Sequence, residues 1–410
     1  MNDLITAPQG TWRAMVKLPA SKSISNRALI LNALSSSPYG VENLSDCDDT
    51  NLMVNALRSA GTDFNVGAAG TTMRFLTAFF ANRPGEWTIT GTERMKNRPI
   101  KVLVEALNAL GAHITYLEKE GFPPLRISGA ALQGGEISLP GNVSSQYISA
   151  ILMVAPLMEQ GVTLHLEGEI VSRPYIHITL QLMKQFGVSA TWEDHTIRVL
   201  PQSYAPIRFT VESDWSAASY WYEMMALSPS AEVELLGLFK DSLQGDAAGA
   251  KLFERLGVET CFTDRGVQLR HTGSCCRKLT YDFVNEPDLA QTFVVTCALL
   301  GVPFRFTGLQ SLKIKETDRI TALQTELRKL GYVVRDEQDS ILSWDGERCE
   351  PEAHPVIATY EDHRMALSFA PAALVRSEGI EIAHPEVVSK SYPHYWEDLR
   401  AAGFGVRTNE

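Results

Sequence analysis

What most restricts the fold of this chain is an internal repeat. A helix-like stretch with a large apolar residue, three further residues, a glycine and then a strand-like run recurs six times. The six pairs are Leu57/Gly61, Leu107/Gly111, Met183/Gly187, Phe253/Gly257, Leu327/Gly331 and Leu399/Gly403. Each glycine suits the residue that leaves a helix in left-handed backbone, and the β-branched run after it suits a strand. The last four glycines are spaced by 70, 74 and 72 residues. That period exceeds the short solenoid repeats, so each unit is expected to be a small α/β subdomain. At 410 residues the chain exceeds one ordinary core. Six units therefore predict two domains of three units each.

Composition narrows the function. With 37 Lys and Arg against 48 Asp and Glu, the net charge is −11. No general nucleic-acid surface is expected from that balance, although a small basic pocket for an anionic ligand remains open. The six cysteines (Cys47, Cys261, Cys275, Cys276, Cys297 and Cys349) form no CxxC pair and no metal-ligand spacing with histidine. Reduced thiols in a cytoplasmic protein are expected. The N-terminus lacks a secretory pattern, and no uncharged apolar run is long enough to span a bilayer.

The chemistry gathers at junctions where loops enter helices. In Lys315-Glu316-Thr317-Asp318-Arg319, charges are expected in the first turn of a helix whose apolar face is Ile320, Leu323, Leu327 and Leu330. Lys315 and Arg319 would share one face, with Glu316 three residues from Arg319. Gly331 would end the helix, and Tyr332-Val333-Val334 would form a strand. Similar junctions carry Lys22 and Arg27, Arg74 after Gly70, Arg98 before Pro99 in a helical first turn, and Ser144-Ser145-Gln146 without charge. Others are Ser172-Arg173-Pro174-Tyr175, Glu286-Pro287-Asp288, Asp362-His363-Arg364 and Ser389-Lys390. Any one of them reads equally well as a capped, solvated turn. Together they place eight cations (Lys22, Arg27, Arg74, Arg98, Lys315, Arg319, Arg364, Lys390) where the helix dipole disfavours positive charge. Something negative must offset them. A cleft between two domains, with helix N-termini facing polyanionic small ligands, is the economical expectation. The second domain boundary is placed at Glu212–Ser216.

These stretches, in this order and over nearly the whole chain, closely resemble the 5-enolpyruvylshikimate-3-phosphate synthase (enolpyruvyl transferase) family. The resemblance implies an inside-out α/β prism of six βαβαββ-like units. Residues 1–20 would join 213–410 in one domain, residues 21–212 would form an inserted domain, and the active site would lie in the cleft between them. It implies transfer of the enolpyruvyl group of phosphoenolpyruvate to the 5-hydroxyl of shikimate 3-phosphate, with release of phosphate and no metal or organic cofactor. By motif, Lys22, Ser23, Arg27, Ser144, Ser145, Gln146, Ser172, Tyr175, Asp288, Ser311 and Lys315 would hold shikimate 3-phosphate. Lys22, Gly70, Arg98, Gln146, Arg319, Arg364 and Lys390 would hold phosphoenolpyruvate. Asp288 would take the hydroxyl proton, Glu316 would handle the proton at the methylene carbon, and Lys22 would assist both substrates. Two positions depart from the usual pattern. Ala68 stands where asparagine is usual, which removes one side-chain donor near the phosphoenolpyruvate phosphate. Ser311 stands where many relatives have asparagine, and its shorter hydroxyl can act through water.

The nearest rival is a related enolpyruvyl transferase acting on UDP-N-acetylglucosamine. It would need a reactive cysteine in the first domain, but Cys47 lies among Asp46, Asp48 and Asp49, which raise a thiol pKa. A non-catalytic anion-binding relative is the other alternative, and the intact Lys22, Asp288 and Glu316 speak against it. A cytoplasmic monomer that binds neither nucleic acid nor membrane is expected.

Overall fold

A computed structural model describes residues 2–228 and 230–409. The chain divides into two compact units: Met1–Pro19 with Glu212–Glu410, and Ala20–Val211. Among the described residues, no helix is long and apolar enough to cross a membrane.

Within Ala20–Val211 one wiring recurs. Asp63–Asn65 pairs in parallel with Gly85–Thr90, which pairs antiparallel with Leu125–Gly129, and that strand with His113–Tyr116. The second sheet repeats the order with Gly135–Pro140, Val162–Glu167, Thr196–Val199 and Ala190–Glu193. A parallel pair needs a crossover, and a helix supplies it each time: Gly70–Ala81 in the first sheet and Ser145–Val154 in the second. A second helix then leads into the closing hairpin. The third sheet keeps only the parallel pair, Phe209–Thr210 with Val41–Glu42.

The other unit contains the same sheet three times. One copy is Leu279–Asp282, Phe304–Thr307, Ile341–Trp344 and Arg335–Glu337. In another, Arg13–Lys17 pairs in parallel with Glu232–Leu236, yet the crossover helix Trp215–Leu227 comes only after residues 20–211. The whole second unit is thus inserted between a strand and its helix. In the last copy Asn2–Thr6 takes the place between Ile380–Ala383 and Gly405–Asn409, so the two ends of the chain share one sheet.

The crossover helices form the core of each unit. Gly70–Ala81 and Ser145–Val154 pack on each other and on Lys22–Leu34. In the other unit, Trp215–Leu227 and His363–Phe369 both pack on Ala290–Leu300. These helices are buried nearly all round, as in the run Phe293-Val294-Val295-Thr296-Cys297-Ala298, because helices and sheets surround them. The second helix of each repeat is two-faced. In Arg319–Lys329, Ile320, Leu323, Glu326 and Leu327 are buried while the other face is solvated. Helices inside and sheets outside make each unit an inside-out α/β fold.

The repeated glycines explain the turns into the hairpins. Gly111, Gly187, Gly257, Gly331 and Gly403 all have φ between +86° and +104°. Gly61 is the exception: its helix ends at Arg58 and it does not take left-handed backbone. Its repeat lacks the hairpin, and the chain passes straight to the first strand of the next sheet. Tyr332-Val333-Val334 is not the strand the sequence suggests. Tyr332 makes a single bridge to Arg348, Val333 N–H donates to the Glu347 carbonyl, and the Val334 carbonyl accepts from Gln324, so the strand starts at Arg335. Pro99 lies outside the helix that begins at Lys101, with Ile100 in the capping position.

Candidate active site

In the Ala20–Val211 unit, the predicted residues sit in the first turns of helices or in the segments that lead into them. Lys22 opens Lys22–Leu34, and its ammonium is 3.7 Å from the Asp49 carboxylate. Arg98 is packed over Gly70, where an added Cβ would fall 2.7 Å from Arg98 Nη1. Two donors, Arg74 Nη2 at 3.0 Å and the Tyr147 hydroxyl at 2.5 Å, fix the Pro99 carbonyl and with it the segment that carries Arg98. Gln146 donates to the Thr71 hydroxyl at 3.1 Å, joining the starts of two core helices. Ser144 accepts from Gln146 N–H, and Ser145 is buried beside it. Ser172 takes left-handed backbone, φ +54°, immediately before Arg173–Gln185. Arg27 is buried, and its donors go to the Ser23 and Tyr175 carbonyls and to the Ser149 and Thr179 hydroxyls. It therefore braces the helix starting at Lys22 against two neighbours. Burial lowers its guanidinium to about 10.

The other unit holds a charge network. Asp288 lies in the turn before Ala290–Leu300. Arg364 Nη2 is 2.9 Å from its carboxylate, Arg319 Nη1 3.2 Å and Lys315 3.8 Å. Glu316 is held from both sides, by Arg319 at 2.9 Å and Lys390 at 2.9 Å. Arg319 Nε also donates to Asp362 at 2.7 Å, so a guanidinium 1% exposed touches three carboxylates. Asp362 in turn caps His363–Phe369 by accepting from Arg364 N–H. Ser311 lies in the short 3-10 helix Gln310–Ile314 ahead of this segment.

This geometry corrects four expectations. Lys315 to Asp318 precede the helix instead of forming its first turn. Asp318 accepts from Thr321 N–H and from Lys313, which keeps its backbone extended and starts the helix at Arg319. Lys315 and Arg319 meet at Asp288 without sharing a helical face. Lys390 closes the 3-10 helix Pro385–Lys390, an end that favours a cation. An external anion is also not needed to offset every cation. Carbonyls accept from Arg27 and Arg74, and carboxylates of the same unit face Lys22, Lys315, Arg319, Arg364 and Lys390.

Sequence reasoning missed Asp246, and it named Asp49 and Asp362 only as neighbours of Cys47 and Arg364. Each sits within a short polar stretch that reads as a cap, and only tertiary packing shows its partner. The Cys47 thiol is pushed up, chiefly by burial and less by Asp49. Burial alone would raise the Asp288 carboxyl, but Arg364, Lys315 and Arg319 outweigh it and hold it well below the usual range. Lys315 is lowered by burial.

A model of the EPSP synthase family (3-phosphoshikimate 1-carboxyvinyltransferase) matches residues 7–66 and 60–399. The chain belongs to this family. A 3-phosphoshikimate 1-carboxyvinyltransferase of Bacteroides fragilis is 62% identical over 411 residues, covering 100% of both chains. One of Vibrio campbellii is 38% identical, covering 98% of this chain and 99% of its own. A solved EPSP synthase of Acinetobacter baumannii shares the fold, with a TM-score of 0.80 over 100% of both chains at 21% identity.

Within this EPSP synthase fold Asp246 is a second buried carboxyl near Asp288. Burial and the charge of Asp288 push it up to about 7, while the Ser216 hydroxyl donates to it. An unfolded Asp ionises near 3.8. Between those two values unfolding releases a proton, so this group lowers stability as pH rises from about 4 to about 7. Asp246→Asn removes that dependence. Its stability advantage over the native chain is expected to grow by about 2–3 kcal/mol between pH 5 and pH 7, read from urea unfolding at both values.

Proposed function

We propose that this chain transfers the enolpyruvyl group of phosphoenolpyruvate to the 5-hydroxyl of shikimate 3-phosphate and releases phosphate. Family membership supports the reaction. The observation that carries the residue roles is Arg319, which links Asp288 and Glu316 through one guanidinium. Addition to an enol needs a base for the hydroxyl and an acid for the methylene carbon, held a fixed distance apart.

Asp288 is the base and Glu316 handles the carbon-bound proton. Ser23, Arg27, Ser144, Ser145, Gln146, Ser172, Tyr175, Ser311 and Lys315 serve shikimate 3-phosphate. Gly70, Arg98, Arg319, Arg364 and Lys390 serve phosphoenolpyruvate, and Lys22 serves both. Without ligand Asp288 is too well paired to be a good base. An anionic substrate that draws Arg364 and Arg319 toward itself weakens that pairing and raises the basicity of Asp288. Substrate binding thus switches on the base. The six cysteines are unpaired, which fits a reducing cytoplasm, and the chain is taken to act as a monomer.

Phosphate release measured with phosphoenolpyruvate and either shikimate 3-phosphate or UDP-N-acetylglucosamine tests the reading. Turnover is expected with the first acceptor only, and turnover with the nucleotide sugar alone would overturn it. Gly70→Ala tests the phosphoenolpyruvate side. The three atoms nearest the new methyl all belong to the Arg98 guanidinium, the far end of a flexible side chain. Melting temperature is expected to hold, while the KM for phosphoenolpyruvate rises about 10-fold or more, the cost of one misplaced charged donor.

A further inference from the structure

We infer that Glu326 and Tyr360 are positioning residues for the phosphoenolpyruvate-binding Arg364, acting by stapling its loop to the helix Arg319–Lys329. The inference rests on the role of Arg364 proposed above. Glu326 is fully buried, and the reaction has no direct use for it. Its Oε1 accepts from the Tyr360 hydroxyl at 2.6 Å. Its Oε2 accepts from Ala358 N–H at 3.1 Å and from Lys329 at 2.7 Å. Lys329 also donates to the Val356 carbonyl at 2.7 Å. Segment 356–360 is thereby fixed to the helix at several points.

Arg319 lies seven residues before Glu326, two turns along the same helix and on the same face. It grips Asp362. One helix therefore holds both ends of the short loop, Ala358 and Tyr360 through Glu326, and Asp362 through Arg319. Between the two grips Tyr360 and Glu361 both have left-handed backbone, φ +53° and +56°. Two such residues in succession, neither of them glycine, are strained and persist only where surrounding contacts impose them. The turn they make delivers Asp362 to its cap and sends Arg364 to Asp288 and the Tyr220 hydroxyl. Without the Tyr360 bond the turn has one fewer restraint against relaxing.

Tyr360→Phe is the direct test, because the ring is partly exposed and losing the hydroxyl leaves no cavity in the core. Hydrogen–deuterium exchange of residues 358–365 is expected to quicken at least fivefold, with the melting temperature within 2 °C of native. The KM for phosphoenolpyruvate is expected to rise about 5–20-fold, with the KM for shikimate 3-phosphate within twofold. Glu326→Gln keeps one acceptor oxygen, for Ala358 N–H and Lys329, while its amide nitrogen can only donate to the Tyr360 hydroxyl oxygen, and an intermediate exchange rate is expected. Unchanged exchange in Tyr360→Phe would overturn the staple. Faster exchange with an unchanged KM for phosphoenolpyruvate, or equal rises for both substrates, would overturn the positioning role. Lack of turnover by the native chain would instead count against the reaction, and the exchange measurement would still decide whether the staple exists.

Discussion

Asp288→Asn is expected to lower turnover about 10²–10⁴-fold, the range for losing a positioned general base. Asparagine keeps the shape and one acceptor oxygen, so Arg364 and Arg319 retain a neutral partner, but no oxygen is left that can take a proton from a hydroxyl. Stability moves as well, with a defined pH sense. In the native chain three cations hold the Asp288 carboxyl well below its ordinary value of 3.8. A depressed carboxyl contributes stability above its unfolded pKa and loses it as pH falls through the folded value. The variant should therefore be less stable than native at pH 7, and the gap should close under strongly acid conditions. Steady-state phosphate release together with urea unfolding at two pH values separates the two effects. A variant within fivefold of native turnover would remove Asp288 from the role of base, whatever happened to its stability.

How far these features can be read from sequence depends on whether they are local. The repeat was legible because a helix that turns back into a hairpin needs left-handed backbone, and glycine supplies it five times out of the six predicted. Gly61 misled because its repeat has lost the hairpin, and nothing within ten residues of it records that loss. The core helices carry no comparable mark. Ala290–Leu300 is simply apolar on every side, and its parallel strands Leu279–Asp282 and Phe304–Thr307 find each other only in the fold. The charged stretch before Ile320 shows the reverse problem. A contact between residues three apart looks the same in sequence whether the backbone is helical or not, and the cap at Asp318 decides against the helix. The partners of the cations were the least legible. Asp362, Asp49 and the Pro99 carbonyl lie 43, 27 and 25 residues from Arg319, Lys22 and Arg74 respectively. A reading that sees only the cations assigns every countercharge to a ligand.

Arg319→Lys conserves charge, yet is expected to destabilise its unit by about 3–5 kcal/mol, the range for stranding buried charge. Melting temperature should fall by roughly 10 °C on the scale of a 200-residue unit. The reason is geometric. Arg319 Nε reaches Asp362, Nη1 reaches Asp288 and Nη2 reaches Glu316, so the planar fork points at three carboxylates at once. A lysine ammonium is a single point with a shorter reach and cannot occupy three places. Asp362 suffers most. It is fully buried, and the guanidinium is the cation that offsets its charge at hydrogen-bonding distance. If unpaired charge on Asp362 is the cause, adding Asp362→Asn to Arg319→Lys should recover about 1–3 kcal/mol relative to the sum of the single changes, the usual coupling for residues in contact. Strict additivity in that cycle would mean that the fork and the buried carboxylate act independently. A single variant as stable as native would mean that positive charge alone, without its planar geometry, holds the three acids together.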